Sequence, residues 1–357
     1  MKNKVLVISF LSIIYGFFLL NIFMSDLDIS KSERRKLQEF PRVSINNILN
    51  KNFMNEFDDY SVDQFIFRDS FRNIKASYSF NVLGMLDNNG YFEKDNVLYN
   101  NLYPLNKKSI DSFIKKIKIL NDNFDLSNNV YISIVPDKNY YLNDSKYLRI
   151  DYDYLYERVK TIPYRFIDLR KVLSIDDYYR TDTHWRQERL ENVVFTINKS
   201  MGNKTSFNYK ENKYSPFYGV YYGQAAINIE PDELIYLTND YLDNVIVEDL
   251  EGNNKLYDID ALEGLDSYDV FVGGATPFVK IINPNSNSDK ELILFRDSFG
   301  SSIAPLLVEN YKSITLVDMR YMNMSLLKEK VLFKNKDILI LYSTLIVNDS
   351  STLKIYE

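Results

Sequence analysis

The sequence predicts an α/β fold, with a mostly parallel sheet flanked by helices after an N-terminal transmembrane helix and a helical extension. Two observations carry this prediction. An uncharged, apolar segment lies near the start of the chain, and from about residue 107 short apolar strands alternate with amphipathic helices. Strands that are apolar throughout are typical of a sheet covered on both faces. We therefore expect a transmembrane signal anchor at 1–24, a stalk with a helical and hairpin extension at 25–106, and an α/β domain at 107–357.

The apolar segment Val5–Met24 follows Lys2 and Lys4 and is long enough to cross a bilayer. At about 1.5 Å per residue it spans roughly 30 Å, the thickness of the hydrocarbon core. It exceeds the apolar core of an ordinary signal peptide and no Ala-x-Ala site follows, so an anchor is favoured over a cleaved signal peptide or a buried core helix. Basic residues flank both ends and leave the orientation open. A short tail before a long domain favours a body on the extracytoplasmic side.

The later elements follow from hydrophobic spacing. Residues 53–82 have apolar side chains at helical intervals, and Gly84 and the turn at 88–90 end this helix. A hairpin is expected at Tyr91-Phe92 and Val97–Tyr99. Helices are then expected at Lys107–Phe124, Tyr154–Lys160 and Trp185–Lys199, and strands at Val130–Val135, Arg165–Leu169, Leu292–Phe295, Ile314–Val317 and Ile338–Leu341. The stretch between about 205 and 285 is less regular.

The composition excludes several kinds of chemistry. The chain has no cysteine, so disulfides, thiolate metal sites and cysteine nucleophiles are ruled out. A single histidine, His184, excludes zinc centres with two or three histidine ligands, and we expect no metal or other cofactor. The net charge of −6 argues against nucleic acid as a partner. Tyrosine and phenylalanine are frequent but spread along the chain, which favours general packing over a dedicated sugar-binding platform.

The first segment that suggests chemistry is Thr181-Asp182-Thr183-His184-Trp185, where a loop leads into an expected helix. A carboxylate two residues from an imidazole is able to fix its tautomer and leave the other ring nitrogen as a general base. The alternative is that Asp182 or Thr183 only caps the helix. The pattern alone favours the cap.

The second segment is Leu292–Ser302, in which an apolar strand runs directly into Ser298 and then into an expected helix through Leu307. Such a strand–turn–helix lifts a serine hydroxyl to the carboxyl edge of the sheet and points backbone N–H groups at a developing oxyanion. The alternative is an ordinary Ser or Asp N-cap. Both segments follow buried strands, the edge at which open α/β sheets bind ligands.

Four other residues are candidates for the cleft or the oxyanion site. Lys138 follows the strand Val130–Val135, and Arg320 follows the strand Ile314–Val317. Gly273 and Gly274 would allow the backbone to approach a ligand closely, although turn geometry is the commoner reason for such a pair.

Taken together and in order, these segments resemble the DHHW family and the related alginate O-acetylation proteins of the SGNH-hydrolase-like class. The resemblance rests on Asp182-Thr183-His184-Trp185 and Phe295–Gly300. It is supported by Ser32–Leu37 with Phe40-Pro41, Phe57–Arg72, Val135–Lys138, and Tyr218-Gly219 with Tyr222-Gly223. One departure is that Thr183 stands at the second position of the motif that gives the family its name.

The resemblance implies an SGNH-hydrolase-like domain with a triad of Ser298 as nucleophile, His184 as base and Asp182 as orienting carboxylate. The order Asp, His, Ser reverses that of ordinary SGNH hydrolases. It also implies O-acetylation of a bacterial surface polysaccharide, with the acyl group supplied by a membrane-bound O-acyltransferase partner. A carbohydrate acetylesterase and a non-catalytic polysaccharide-binding or assembly scaffold are the alternatives. A calcium-binding adhesin using Asp240, Asp243 and Asp258 is disfavoured, since no calcium-loop pattern surrounds them.

Overall fold

The computed structural model describes residues 2–126 and 129–356. The α-helices in these ranges are α1 Lys2–Phe23, α2 Ile45–Leu49, α3 Asn52–Asp63, α4 Arg68–Asn81, α5 Lys107–Phe124, α6 Tyr152–Val159, α7 Glu191–Ser200, α8 Val220–Ala225, α9 Ser298–Leu307, α10 Met324–Lys330 and α11 Thr344–Asn348. The chain divides into two compact units. The first comprises the residues up to Asn89 together with Tyr222–Asn228, and the second comprises Gly90–Tyr221 and the residues from Ile229 onward.

The strands are β1 Ile29–Ser30, β2 Arg35–Lys36, β3 Tyr91–Lys94, β4 Val97–Asn100, β5 Val130–Val135, β6 Arg165–Phe166, β7 Lys210–Phe217, β8 Asp232–Thr238, β9 Ile246–Asp249, β10 Asn253–Asn254, β11 Phe278–Ile282, β12 Glu291–Arg296, β13 Ser313–Val317 and β14 Asp337–Ser343. The main sheet has eight strands in the order β10-β9-β11-β13-β12-β14-β5-β6. The run from β13 to β6 is parallel, and β11, β9 and β10 add an antiparallel edge. The predicted α/β fold with a mostly parallel sheet is therefore confirmed.

The sheet of the second unit is buried on both faces because alternate residues of each apolar strand point to opposite sides. Leu292 and Leu294 of β12 join one core, which α7 and α9 cover. Ile293 and Phe295 join the other core, which α5 and α6 cover. The central strand β12 lies between β13 and β14, so the residues that follow it emerge in the middle of the sheet's carboxyl edge.

The first unit contains the apolar N-terminal helix. Residues Asn3–Phe23 of α1 have a mean hydropathy of 2.4 over their most apolar window and are long enough to cross a membrane. The helix expected over residues 53–82 is two helices, α3 and α4, because Phe67 between them adopts a left-handed φ of 58° that interrupts the helical path. The expected stalk contains the short β1–β2 pair and α2.

Other element boundaries also differ from expectation. The helix predicted from Trp185 begins only at Glu191, since Trp185 forms an isolated antiparallel bridge with Tyr178. The strand predicted at Arg165–Leu169 pairs only at Arg165 and Phe166. The less regular stretch includes an antiparallel pair of its own, β7 with β8. The domain boundary expected between residues 106 and 107 remains a prediction.

Candidate active site

Ser298 is the first residue of α9, directly after the central strand β12. Asp297 is the N-cap, and its Oδ1 accepts a hydrogen bond from the Phe299 N–H at 3.0 Å. The second oxygen, Oδ2, accepts from the Ser343 N–H at 2.7 Å, which ties this turn to the end of β14. Because Asp297 does the capping, the hydroxyl of Ser298 is available for another partner. Ser298 is half-buried, whereas Asp297 and Phe299 are buried.

The partner of Ser298 is His184. The imidazole Nε2 lies 2.7 Å from Ser298 Oγ. The other ring nitrogen, Nδ1, lies 2.5 Å from Asp182 Oδ1. A hydrogen on Nδ1 donates to this carboxylate, which leaves Nε2 as the acceptor for the serine hydroxyl. The structure thus brings Asp182, His184 and Ser298 into one continuous hydrogen-bonded chain.

The carboxylate of Asp182 is fully buried and held at both oxygens. Oδ1 also accepts the backbone N–H of His184 at 3.0 Å, and Oδ2 accepts the backbone N–H of Val220 at 2.7 Å. These bonds fix the plane of the carboxylate and therefore the direction in which it meets the imidazole. Gly219 permits this contact, because a Cβ at that position would overlap the backbone of Asp182.

The loop that carries Asp182 is anchored from β8. Asp232 Oδ2 accepts hydrogen bonds from the Thr181 backbone N–H at 2.8 Å and from the Thr181 hydroxyl at 2.6 Å. Tyr179 N–H donates to the His184 carbonyl at 3.1 Å, which closes the turn on which Asp182 and His184 lie. A loop whose backbone and carboxylates are hydrogen-bonded in this way holds its side chains in one arrangement.

The imidazole of His184 is also packed between aromatic rings. Tyr268 stacks on it with centroids 3.8 Å apart and planes within 6°, and Phe299 lies 5.0 Å away. The Tyr268 hydroxyl donates to Ser302 Oγ at 2.8 Å, and Trp185 Nε1–H donates to the same oxygen at 2.8 Å. Burial raises the pKa of the Tyr268 phenol well above its usual value, so this ring remains neutral. The stack therefore orients the base without adding charge.

The start of α9 supplies the electrostatic environment of the serine. The helix begins at Ser298 and extends for ten residues, so the positive end of its dipole lies beside the hydroxyl. A negative oxygen that forms on a carbonyl attached to Ser298 would be stabilised there. The arrangement suits nucleophilic attack on an acyl carbon.

Lys138 lies beneath the histidine-bearing loop. Its Nζ donates to the carbonyl oxygens of Tyr179 at 3.1 Å and Arg180 at 3.2 Å, and it lies 4.9 Å from the centroid of the Tyr221 ring. Lys138 is 3% exposed, and burial lowers the pKa of its ammonium to about 7. These contacts hold the backbone of the histidine-bearing loop. A role for Lys138 in binding substrate remains a prediction.

Gly273 and Gly274 form a turn that contacts the last residue of β12, Arg296. Both have left-handed φ values, 68° and 71°, and the carbonyl of Gly274 accepts from the buried Arg296 guanidinium at 3.3 Å. Arg320 follows β13, the neighbour of β12, and pairs with Asp318 through Nη2 at 2.6 Å while remaining 20% exposed. A place for these residues in the oxyanion site or the cleft also remains a prediction.

The two capping alternatives are decided by the local geometry. No helix begins at Asp182 or Thr183, since the next α-helix starts at Glu191. At the serine, the cap is Asp297 rather than Ser298.

Sequence reasoning did not identify Tyr268, Asp232 or the Val220 N–H. Tyr268 and Asp232 lie in the irregular stretch, and nothing in their spacing connects them to the histidine segment.

This chain is similar to known proteins both in sequence and in fold. A family model described as DHHW protein matches residues 137–317. A DHHW family protein from Eubacterium siraeum superposes with a TM-score of 0.59 at 20% identity, covering 74% of this chain and 94% of that chain. Bacillus cereus PatB1 with a sulfonyl adduct gives a TM-score of 0.57 at 18% identity, covering 75% of this chain and 98% of that chain. No curated protein sequence matches. At these identities the structural matches show the shared fold.

Proposed function

The chain belongs to the DHHW family, and we propose that it is a membrane-anchored, extracytoplasmic O-acyltransferase. It would carry an acyl group, most simply acetyl, on Ser298 and pass it to a hydroxyl of a cell-surface polysaccharide. The observation that carries this proposal is the hydrogen-bonded chain Asp182–His184–Ser298 at the carboxyl edge of the sheet. The family resemblance of the sequence to polysaccharide O-acetylation proteins supports the choice of acetyl group and acceptor.

In the first half-reaction, Ser298 Oγ attacks the carbonyl carbon of the acyl donor. Nε2 of His184 takes the hydroxyl proton, and the imidazolium is stabilised by the buried carboxylate of Asp182. The tetrahedral intermediate places its negative oxygen near the N-terminus of α9. When the intermediate collapses, the bond to the leaving group breaks, His184 returns the proton to that group, and an acyl ester remains on Ser298.

In the second half-reaction, a sugar hydroxyl approaches the acyl ester and gives its proton to His184 Nε2. Its oxygen attacks the acyl carbon, the bond from Ser298 Oγ breaks, and His184 reprotonates the serine. If water takes the place of the sugar, the same steps hydrolyse the ester. Transfer and hydrolysis thus differ only in the acceptor, and a membrane-bound acyltransferase partner is the proposed source of the acyl group.

The anchor is the second part of the proposal. Most described residues of helix α1 are exposed, and the helix is of spanning length and apolarity. An enzyme held at the membrane surface is placed to receive an acyl group from a membrane-embedded partner. The extracytoplasmic side belongs to the proposal because the proposed acceptor is a cell-surface polysaccharide.

The proposed chemistry is tested with p-nitrophenyl acetate and the detergent-solubilised chain. Wild type should release p-nitrophenol, at least in a burst, and Ser298→Ala and His184→Ala should not. Ser200→Ala, in which an exposed hydroxyl bonded to the Thr196 carbonyl is lost, is the matched control and should retain wild-type activity. Equal release by wild type and both site variants would contradict the proposal. An acetylated sugar product in the presence of an oligosaccharide acceptor would favour transfer over the esterase alternative.

A further inference from the structure

The helix α4 carries an apolar stripe that faces outward. Phe67 at its N-cap, followed by Phe71, Ile74 and Tyr78, recurs every three or four residues, which places the four side chains on one face. Their exposed fractions are 63%, 43%, 62% and 53%. An amphipathic helix ordinarily buries such a face, and a large exposed apolar patch marks a surface that meets a partner or a membrane. We refer to these four residues as the α4 stripe.

Contacts on another side of α4 fix its rotation within the first unit. Arg68 and Arg72 pair with the same carboxylate, that of Glu33, at 2.7 Å and 3.2 Å. Ala76 and Ser79 are buried. Turning the α4 stripe inward would break the two ion pairs and expose the buried side. The folded unit therefore holds the stripe facing outward.

The α4 stripe begins beside the last turns of α1. Phe17 stacks on Phe65 with centroids 5.6 Å apart and meets Phe71 edge-on at 5.8 Å. The Ile66 backbone N–H donates to Asn21 Oδ1 at 2.8 Å. Since α1 ends at Phe23, Phe17 lies about 9 Å before that end. In a helix that spans the bilayer, this depth is still within the outer part of the hydrocarbon core.

A cleft lies beside these contacts, between α1 and the helices α3 and α4. Its volume is about 1500 Å³, and its lining is mainly apolar, with Ile13, Phe17 and Phe18 on one wall and Phe57, Phe65 and Phe71 on the other. The cleft is continuous with the exposed surface of α1. Acyl chains that surround α1 in a bilayer would fill it.

We propose that the α4 stripe and this cleft are embedded in the membrane leaflet nearest the body of the protein, with lipid acyl chains as the occupant. The inference rests on the membrane anchor of the proposed function and adds a second, interfacial attachment to it. Of the three basic side chains of α4, Arg68 and Arg72 are paired with Glu33, so the attraction is hydrophobic rather than electrostatic. Neutral phosphatidylcholine is therefore sufficient, and salt has little effect.

The absence of cysteine allows a direct test by depth-dependent quenching. Single cysteines at Phe67→Cys and Ile74→Cys report on the stripe, and Val7→Cys reports on α1. Asn73→Cys, exposed on the same helix but well outside the stripe, is the matched control. Each full-length variant is labelled with an environment-sensitive fluorophore and reconstituted into phosphatidylcholine vesicles that contain lipids brominated on the acyl chain.

Quenching of about twofold or more at positions 7, 67 and 74, with little at 73, is the expected result for an interfacial helix beside a spanning one. If position 7 is quenched and positions 67 and 74 behave like 73, the anchor is retained and the inference is overturned, and the stripe would then be assigned to a protein partner. If none of the positions is quenched, both the anchor and the interfacial attachment are wrong. Equal quenching at 73 and 74 would also contradict a one-faced insertion.

Discussion

His184 Nε2 lies 2.7 Å from Ser298 Oγ although 114 residues separate them along the chain. The contact forms because the serine turn follows the central strand of the sheet, while the histidine loop is held over the same edge by Asp232. It joins a general base to a hydroxyl at the N-terminus of a helix, which is the combination needed for acyl transfer.

The role assigned to Asp182 predicts a large loss of rate when only its charge is removed. Asp182→Asn keeps the shape of the side chain but presents an amide to His184 Nδ1, which favours the wrong tautomer and removes stabilisation of the imidazolium. We expect kcat for p-nitrophenyl acetate to fall about 10³-fold with little change in KM. A loss of less than about tenfold would show that Asp182 does not orient the base.

Asp297, the residue before Ser298, is predicted to contribute to stability rather than to catalysis. Its oxygens accept the N–H groups of Phe299 and Ser343, and an Asn side chain has only one acceptor oxygen. Asp297→Asn should therefore lower the free energy of unfolding by about 1–3 kcal/mol, seen as a lower Tm. Its kcat should stay far closer to wild type than that of Asp182→Asn. The reverse ranking of the two kcat values would assign the catalytic carboxylate to Asp297.

Tyr268 is predicted to position the imidazole through its ring. Tyr268→Phe keeps the stack on His184 and loses only the bond to Ser302, so kcat should change by about threefold at most. Tyr268→Ala removes the ring that fixes the imidazole plane and should lower kcat by about ten- to a hundredfold. Leucine at this position gives a folded comparison if the alanine variant proves unstable. Equal activity of the Phe, Leu and Ala variants would contradict the positioning role.

Lys138 predicts a specific pH dependence of stability. Its pKa is lowered to about 7 by burial in the folded protein, while an unfolded lysine titrates near pH 10.4. Between these values the unfolded chain binds a proton that the folded chain lacks, so folding stability rises with pH across this window and is lost as pH falls through 7. A difference of one bound proton changes the free energy of unfolding by at most about 1.4 kcal/mol per pH unit.

The difference in Tm between wild type and Lys138→Met isolates this contribution, because the other titrating groups are common to both. From pH 7 to pH 9 the difference should move in favour of wild type. The exposed Lys160, substituted to Met in the same way, should leave the pH dependence of Tm unchanged. A pH-independent difference for Lys138→Met would show that the buried ammonium remains charged throughout.

The sequence was most informative where strong local patterns coincide with tertiary structure. The strand Val130–Val135 was predicted to the residue because every side chain in it is buried. Asp182 and His184 are predicted from their two-residue spacing and Ser298 from its place after an apolar strand, and hydrogen bonds join the three side chains. By contrast, residues 185–190 have acceptable helical spacing but form no α-helix, because Trp185 bridges to Tyr178 and only Gln187–Arg189 make a single 3₁₀ turn. Tyr268 is positioned by long-range packing, for which a single sequence has no local signal.

The measurement that tests the central claim most directly is the site at which a sulfonyl fluoride labels the protein covalently. The full-length chain is treated with phenylmethylsulfonyl fluoride, since a sulfonyl adduct is recorded for PatB1, which shares the fold, and is then digested for peptide mass spectrometry. The account predicts one sulfonyl group on Ser298, formed by wild type and Ser200→Ala, greatly slowed in His184→Ala and absent in Ser298→Ala. Labelling at another residue, or labelling of Ser298 at the same rate without His184, would contradict it.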